Sequence, residues 1–338
     1  MKWIDLLFAV FSAIFNNAAM TEFLLFSTVL LLATVAAYIA RRTGVFHLAL
    51  DGTVVLSACV SYVFSELAAH FMGDQPSFWS AAAGMVMGIA AGLLFTAIVG
   101  WFIIRAGNND VLVGVIANYF ARHFSLLVVG MTAGIFGSIT LTKLPVVHLA
   151  ALEGIPMIGS ALASTSSMTW VAAVLPVAAF LLLNRTTIGL QLRASEENPA
   201  ALINAGVEVS KVRMHGLLIS GAVASLAGVA CALGVVPTRA QATVPESFGY
   251  LALVLVFAAG GRLSKSCGFA VLFGFLGALP AMLVDVPIAP ALVRSVVYLA
   301  ALLLMMLHVY RHHRRFKVRL RKQVKTSKLR KQKTAEKA

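Results

Sequence analysis

Apolar side chains fall along this chain in continuous runs, broken by Gly, Pro and charge, near 22–40, 45–69, 79–104, 111–130, 166–184, 212–234, 248–260, 268–284 and 290–310. Runs of about 20 residues cross the hydrocarbon core of a bilayer as helices, whereas a membrane barrel needs roughly 10-residue segments of alternating polarity. The pattern predicts an all-α, polytopic integral membrane protein with about 8–10 transmembrane helices. One run is short. At about 1.5 Å per residue, 248–260 reaches only about two-thirds of the core, so it has to lean on protein or line a cavity.

Composition agrees: 60% of the 338 residues are hydrophobic and 12% are charged, about half the charge of an average soluble domain. The net charge of +14 is concentrated, because 311–337 holds thirteen Lys and Arg against one acid, Glu336, leaving +2 for everything before it. With only Phe316 interleaved among those charges, the basic segment is expected to fix topology and touch anionic lipid on the cytoplasmic side, with no nucleic acid as partner. If each run crosses once, Arg41, Arg42, Arg105, Arg185, Arg193, Lys211, Arg213, Arg262 and Lys265 share the side of that tail, against Lys2, Lys143 and Arg239 opposite. This is the positive-inside pattern of a multi-pass cell (inner) membrane protein. Three regions follow: 1–21, an interfacial or partly inserted segment whose Asp5 argues against a cleaved signal peptide; 22–310, the transmembrane domain; and 311–338, the basic tail.

Cys59, Cys231 and Cys267 lie in apolar surroundings without CxxC spacing, so neither a disulfide framework nor a metal site is expected. "AGGRLSKS" at 259–266 lacks both glycines of a phosphate-binding loop, and the eight His are scattered, so no catalytic residues and no cofactor bound by this chain are expected. "HLALDG" at 47–52 is echoed faintly by "YLALVLVFAAGG" at 250–261, as in transporters built from structural repeats, although four matched letters also arise by chance.

Polar groups inside apolar runs carry the candidate chemistry. His47 and Asp51 are four residues apart. On a helix they share a face and can hydrogen-bond beside a solute path; alternatively, both sit at the cytoplasmic boundary near Arg42 and meet water or headgroups. Asn118 and Tyr119 lie mid-span, where they either bond between helices or line a path with Phe120 and Phe124 as apolar walls. Arg122 is costly there unless it snorkels or pairs.

The longest hydrophilic interior segment, 184–213, contains a helix signal with Asn198 as N-cap, Pro199 at the first helical position and Gly206 at the stop. A helix so short is not stable alone in water and must dock, and Glu196 and Glu197 favour a protein partner over a lipid surface.

"GVFHLALDG", "NNDVLVGVIANYF" and "LLNRTTIGLQLRASEENPAALINAGV" resemble three landmarks of the membrane subunits of ATP-binding-cassette importers, in the family shared by simple-sugar, nucleoside and branched-chain amino acid permeases. The likeness runs from about residue 25 to residue 305, and the third landmark is the most specific. It implies that 194–206 is a coupling helix seated in a cleft of a cytoplasmic ATPase subunit, with Arg193, Ala194, Glu197, Asn198, Pro199, Ala200, Ala201, Ala205 and Gly206 at matching positions. Glu196 departs from the Gly often found there; His47 stands for the usual Asn and Asp51 for the usual Glu. The implied partners are ATPase subunits that use ATP and Mg, a second permease subunit, identical or related, and an extracytoplasmic solute-binding protein. The form of the second and third landmarks is nearer nucleoside and simple-sugar permeases than amino-acid ones. The rival class, an ion- or proton-coupled secondary transporter, needs acids deep in several spans, and only Asp51, Glu66 and Asp285 lie inside or near one.

Overall fold

A computed structural model describes residues 17–73, 77–136, 144–148, 159–235, 247–283, 292–293, 295–307 and 310. The basic tail, Asp285 and, within the connection 131–165, residues 137–143 and 149–158 lie outside the described residues. Among the described residues, seven helical segments are long and apolar enough to cross a membrane. The chain is therefore a multi-pass membrane protein.

The helices are α1 (Asn17–Arg42), α2 (Leu50–Phe71), α3 (Phe78–Gly100), α4 (Asp110–Phe136), α5 (Gly159–Ala163), α6 (Ser167–Arg185), α7 (Thr187–Glu197), α8 (Pro199–Asn204), α9 (Val209–Val229), α10 (Phe248–Ala258), α11 (Leu263–Met282) and α12 (Ser295–Leu307). Helices α3 and α9 continue as wider π turns at Trp101–Arg105 and Ala230–Val235. A small antiparallel pair, β1 (Val146–His148) and β2 (Ser164–Ser166), is the one departure from all-α among the described residues, and the Leu144 amide ties it to Leu233 at 2.9 Å. The short run emerges as the eleven-residue α10, packed on α1, α2 and α11, so protein covers what its length cannot span.

Helix α1 is the hub: it packs on α6, α9, α10 and α11, and Leu30, Leu32, Val35 and Ala36 are wholly buried. The second hub is α2, held against α3 and α9 by small residues that let backbones meet. Ser61 Oγ donates to Gly84 O and Ser57 Oγ to both Gly88 O and Ser225 O, each at 2.9 Å, while Ser220 Oγ reaches Ala36 O at 2.8 Å. In lipid, where apolar contact alone gives helices little reason to prefer one another, close approach and such bonds hold the bundle together. Glu66 is buried, and its carboxylate accepts from the Tyr62 hydroxyl one turn away, so this acid has a structural partner.

Two boundaries differ from the hydropathy reading. The second span starts at Leu50, because 43–49 is a turn anchored by the Thr43 and Gly44 amides on Ala40 O and Arg41 O. The eighth run starts at Leu263, five residues early, since Arg262 caps α11 in extended geometry.

Candidate functional site

The segment 184–206 is built by successive caps. Thr186 stops α6 and starts α7, its Oγ1 accepting from Gly189 N at 3.1 Å. At Asn198 the backbone turns to φ −153°, and the Asn198 side chain accepts from Ala201 N at 3.3 Å to open α8, with Pro199 at the first helical position. Gly206 ends the unit at φ +73°, a left-handed conformation in which glycine carries no side-chain penalty. The expected single helix 194–206 is therefore two: the last turn of α7, then α8. Only Leu202 of α8 is buried; Ile203 is 66% exposed, and Glu197, Asn198, Ala200, Ala201, Asn204, Ala205 and Gly206 are also exposed.

This knob is fixed to the bundle beneath it. Glu196 receives Arg42 Nη1 at 2.9 Å and Arg41 Nε at 3.3 Å, and Glu197 lies 3.5 Å from Arg42. Ser195 Oγ donates to Thr43 O at 2.8 Å and accepts from Arg213 Nε at 3.3 Å. Both arginines are held on their far sides: Arg41 over the Phe257 ring at 5.2 Å, Arg42 over Tyr38 at 5.3 Å with a bond to Gly261 O. A partly buried network with several partners holds geometry better than an isolated surface pair. Ala194 and Arg193 are half-buried, and the Arg193 Nε has no partner among the described residues.

A second cluster lies where the turn 43–49 meets α4 and α10. Asn118 is its centre: its Oδ1 accepts from Gly52 N at 2.6 Å, and its Nδ2 donates to Leu48 O at 2.9 Å and Tyr250 Oη at 2.7 Å. Asp51 Oδ1 accepts from Gly249 N at 2.9 Å, and a side chain at Gly249 would collide with the Asp51 backbone. His47 and Asp51 do not pair. The turn removes His47 from the helix that carries Asp51, and each side chain is buried in its own surroundings. Both His47 ring nitrogens lack a partner among the described residues, and burial pushes its pKa down to about 4, so the ring is neutral. It borders a cavity of 340 Å³ shared with Arg41, Glu196 and Phe257.

Tyr119 and Phe120 turn away from the cluster and are exposed, at 66% and 56%. Arg122 and His123 are exposed as well. A guanidinium at the centre of a membrane helix costs about 2.5–3.5 kcal/mol on insertion scales where hydrocarbon surrounds it. Sequence reasoning missed Gly249, Tyr250 and the two arginine partners of Glu196. The echo of "HLALDG" in "YLALVLVFAAGG" did join stretches that face each other, since His47, Leu253, Val256 and Phe257 line one cavity, but 47–49 is a turn where 250–252 is helix, so the shared letters are not shared structure. No group of His, Cys, Asp and Glu among the described residues is placed to hold a metal.

The description "Branched-chain amino acid transport system / permease component" fits residues 19–307, which include both clusters. The chain belongs to that permease family. Similar proteins include the guanosine ABC transporter permease protein NupQ of Bacillus subtilis, 26% identical over 275 residues covering 78% of this chain and 84% of that one. The putative glucose ABC transporter permease protein TsgC13 of Haloferax volcanii is 28% identical over 264 residues, 75% of this chain and 74% of that one. The nucleoside ABC transporter permease protein NupC of Lactococcus lactis subsp. cremoris is 25% identical over 207 residues, 61% of this chain and 64% of that one. No solved structure matches the permease with significance. The permease is a transport component rather than an enzyme.

Proposed function

We propose that this permease is the membrane subunit of an ATP-binding-cassette importer for nucleosides, working with a second permease subunit, two cytoplasmic ATPase subunits and an extracytoplasmic solute-binding protein. The observation that carries the reading is α8: a six-residue helix with one buried anchor, an exposed Ile203, and a rigid ionic attachment to the end of α1. A helix this short and exposed gains a purpose when its outer face enters a partner cleft and its root moves a transmembrane helix. Under this reading Arg193, Ala194, Glu197, Asn198, Pro199, Ala200, Ala201, Ala205 and Gly206 form or support the ATPase contact, and ATP and Mg are used by that partner. Arg41, Arg42, Arg105 and the acids that meet them at 196, 197 and 208 mark the cytoplasmic end of the bundle. The tail 311–338 follows on that side of the cell membrane.

The nucleoside assignment is supported by the names of the Bacillus and Lactococcus relatives and by a mid-membrane polar cluster rich in hydrogen-bonding groups. The Haloferax relative supports simple sugars as a second reading. The test is uptake of radiolabelled guanosine or uridine by cells expressing the full set of subunits, challenged with unlabelled nucleoside, ribose or leucine. Nucleosides should compete and ATP depletion should stop uptake. Competition by ribose alone would move the solute to the second reading, by leucine alone to the amino-acid branch, and uptake independent of ATP would return the protein to the secondary transporters.

A further inference from the structure

Helix α4 touches its neighbours along one stripe: Gly114 against Leu48 and Ala49, Asn118 against Gly52, Ala121 beside Gly52, and Ser125 O receiving the Cys59 thiol. At about 100° per residue the rest of its surface divides into two flanks. Phe120 and Phe124, stacked with centroids 5.5 Å apart, occupy one and suit acyl chains. Arg122 and Tyr119 occupy the other, with His123 stacked on Tyr119 at 5.9 Å. Arg122 sits about 18 Å along the span Asp110–Thr132, at mid-depth. It is exposed and has no hydrogen bond or ion pair among the described residues, and Asp51 Oδ1 is engaged by Gly249 N. A free guanidinium at that depth is unfavourable in hydrocarbon and at home in a water-filled path.

We propose that Arg122 is a specificity-determining residue of the translocation path, its guanidinium reading the acceptor edge of a 6-oxopurine nucleoside; this rests on the nucleoside function proposed above. Arginine presents donors only, in a planar fork that matches two adjacent acceptors. Guanine and hypoxanthine offer such a pair at O6 and N7, whereas adenine replaces O6 with an amino donor that would face the arginine's own donors. The stacked Tyr119 and His123 rings supply a flat surface for the base. Phe120 falls on the opposite flank and is assigned to lipid.

The experiment measures ATP-dependent uptake of radiolabelled guanosine, inosine and adenosine by cells expressing the complete transporter with wild-type permease, Arg122→Gln or Arg122→Lys. Wild type should prefer guanosine and inosine to adenosine; Arg122→Gln, whose amide complements N6 and N7 of adenine, should move the guanosine-to-adenosine ratio at least tenfold toward adenosine. Arg122→Lys should fall between. Because the binding protein is common to all three, its own selectivity cancels in the comparison. An unchanged ratio in an active Arg122→Gln transporter overturns the proposal, whereas absence of any nucleoside uptake in wild type overturns the function it rests on. Should Arg122→Gln fail to insert, single cysteines at 119, 123, 120 and 124 decide in a Cys267→Ala background. Labelling of Tyr119→Cys and His123→Cys by a membrane-impermeant thiol reagent, slowed by guanosine and absent at 120 and 124, supports the path. Labelling insensitive to guanosine, or oxidative cross-linking of His123→Cys to a second permease copy in place of labelling, overturns it.

Discussion

Arg42 and Glu196, 154 residues apart, meet at 2.9 Å, and Arg41 shares the same carboxylate at 3.3 Å. Two adjacent guanidiniums on the last turn of α1 thus grip one acid on the last turn of α7, one residue before the exposed Glu197. Under the function proposed above, a push on α8 reaches α1, the hub of the bundle, through this charged joint.

That joint has a measurable strength. The side chains are 18–28% exposed, between the surface and buried regimes, so a coupling of about 1–2 kcal/mol is expected between Arg42 and Glu196. A double-mutant cycle with Arg42→Gln and Glu196→Gln, read by thermal unfolding of the detergent-solubilised protein, checks it. The single variants should also lower uptake while membrane insertion continues; a coupling near zero would remove the joint from the mechanism.

Disruption of α8 should be severe for transport and mild for folding. Asn198→Pro forces φ from −153° toward −65°, deletes the amide that bonds Ala194 O at 2.8 Å and removes the side chain that accepts from Ala201 N, so the set angle between α7 and α8 and the cap of α8 are both lost. Ile203→Asp and Glu197→Arg alter only exposed positions, so each should leave the amount of inserted protein within about twofold of wild type while reducing uptake at least tenfold. Co-purification with the ATPase subunits separates failed docking from failed folding; wild-type uptake in all three variants would show that α8 transmits nothing.

How much of this was legible beforehand depends on how local each signal is. The seven long spans and the short α10 follow from run length, and the break at Asn198-Pro199 with the stop at Gly206 follows from capping chemistry, because each rule acts within one or two turns. His47 and Asp51 misled because spacing on a helix was assumed where Thr43 and Gly44 make a turn, and hydropathy does not distinguish an apolar turn from an apolar helix. The partners of Glu196 and Asp51 lie about 150 and 200 residues away, and a single sequence holds no trace of such pairings. Arg122 was visible as an anomaly, but which flank it occupies depends on which stripe of α4 packs against α2.

The clamp around Asn118 predicts a stability effect. Asn118→Leu fills the space but leaves Gly52 N, Leu48 O and Tyr250 Oη without their partner. Membrane hydrogen bonds average about 0.6 kcal/mol and stranded buried groups cost more, so a loss of about 2–3 kcal/mol is expected. It should appear as a lower Tm in detergent. Asn118→Asp keeps the acceptor for Gly52 N and removes the donors, so it should also be destabilising; tolerance of Leu at wild-type Tm would show that packing alone holds α4 in place.

The last prediction concerns acid. His47 lies in the turn between α1 and α2, fully buried and neutral, with its pKa lowered from the ordinary 6.5 to about 4 by desolvation. In the unfolded chain the same ring takes up a proton as pH falls through about 6.5, whereas the folded chain resists until about 4. Between those values the unfolded state binds more protons, so stability is fully present above about 6.5 and is lost progressively on acidification toward 4, at no more than about 1.4 kcal/mol per pH unit for this one group. Thermal unfolding of the purified permease from pH 7.5 to 4.5 should therefore show Tm falling below about pH 6.5, and His47→Gln, which does not titrate, should flatten that slope whatever its Tm at neutral pH. Because the ring borders the cavity it shares with Arg41 and Glu196, protonation would place a third cation beside the joint that holds α7 to α1. Uptake by wild type should fall more steeply than uptake by His47→Gln only below about pH 5, where the ring of the folded protein itself begins to take up a proton. Identical pH profiles for the two proteins, in both Tm and uptake, would show that the buried ring takes no part in the response.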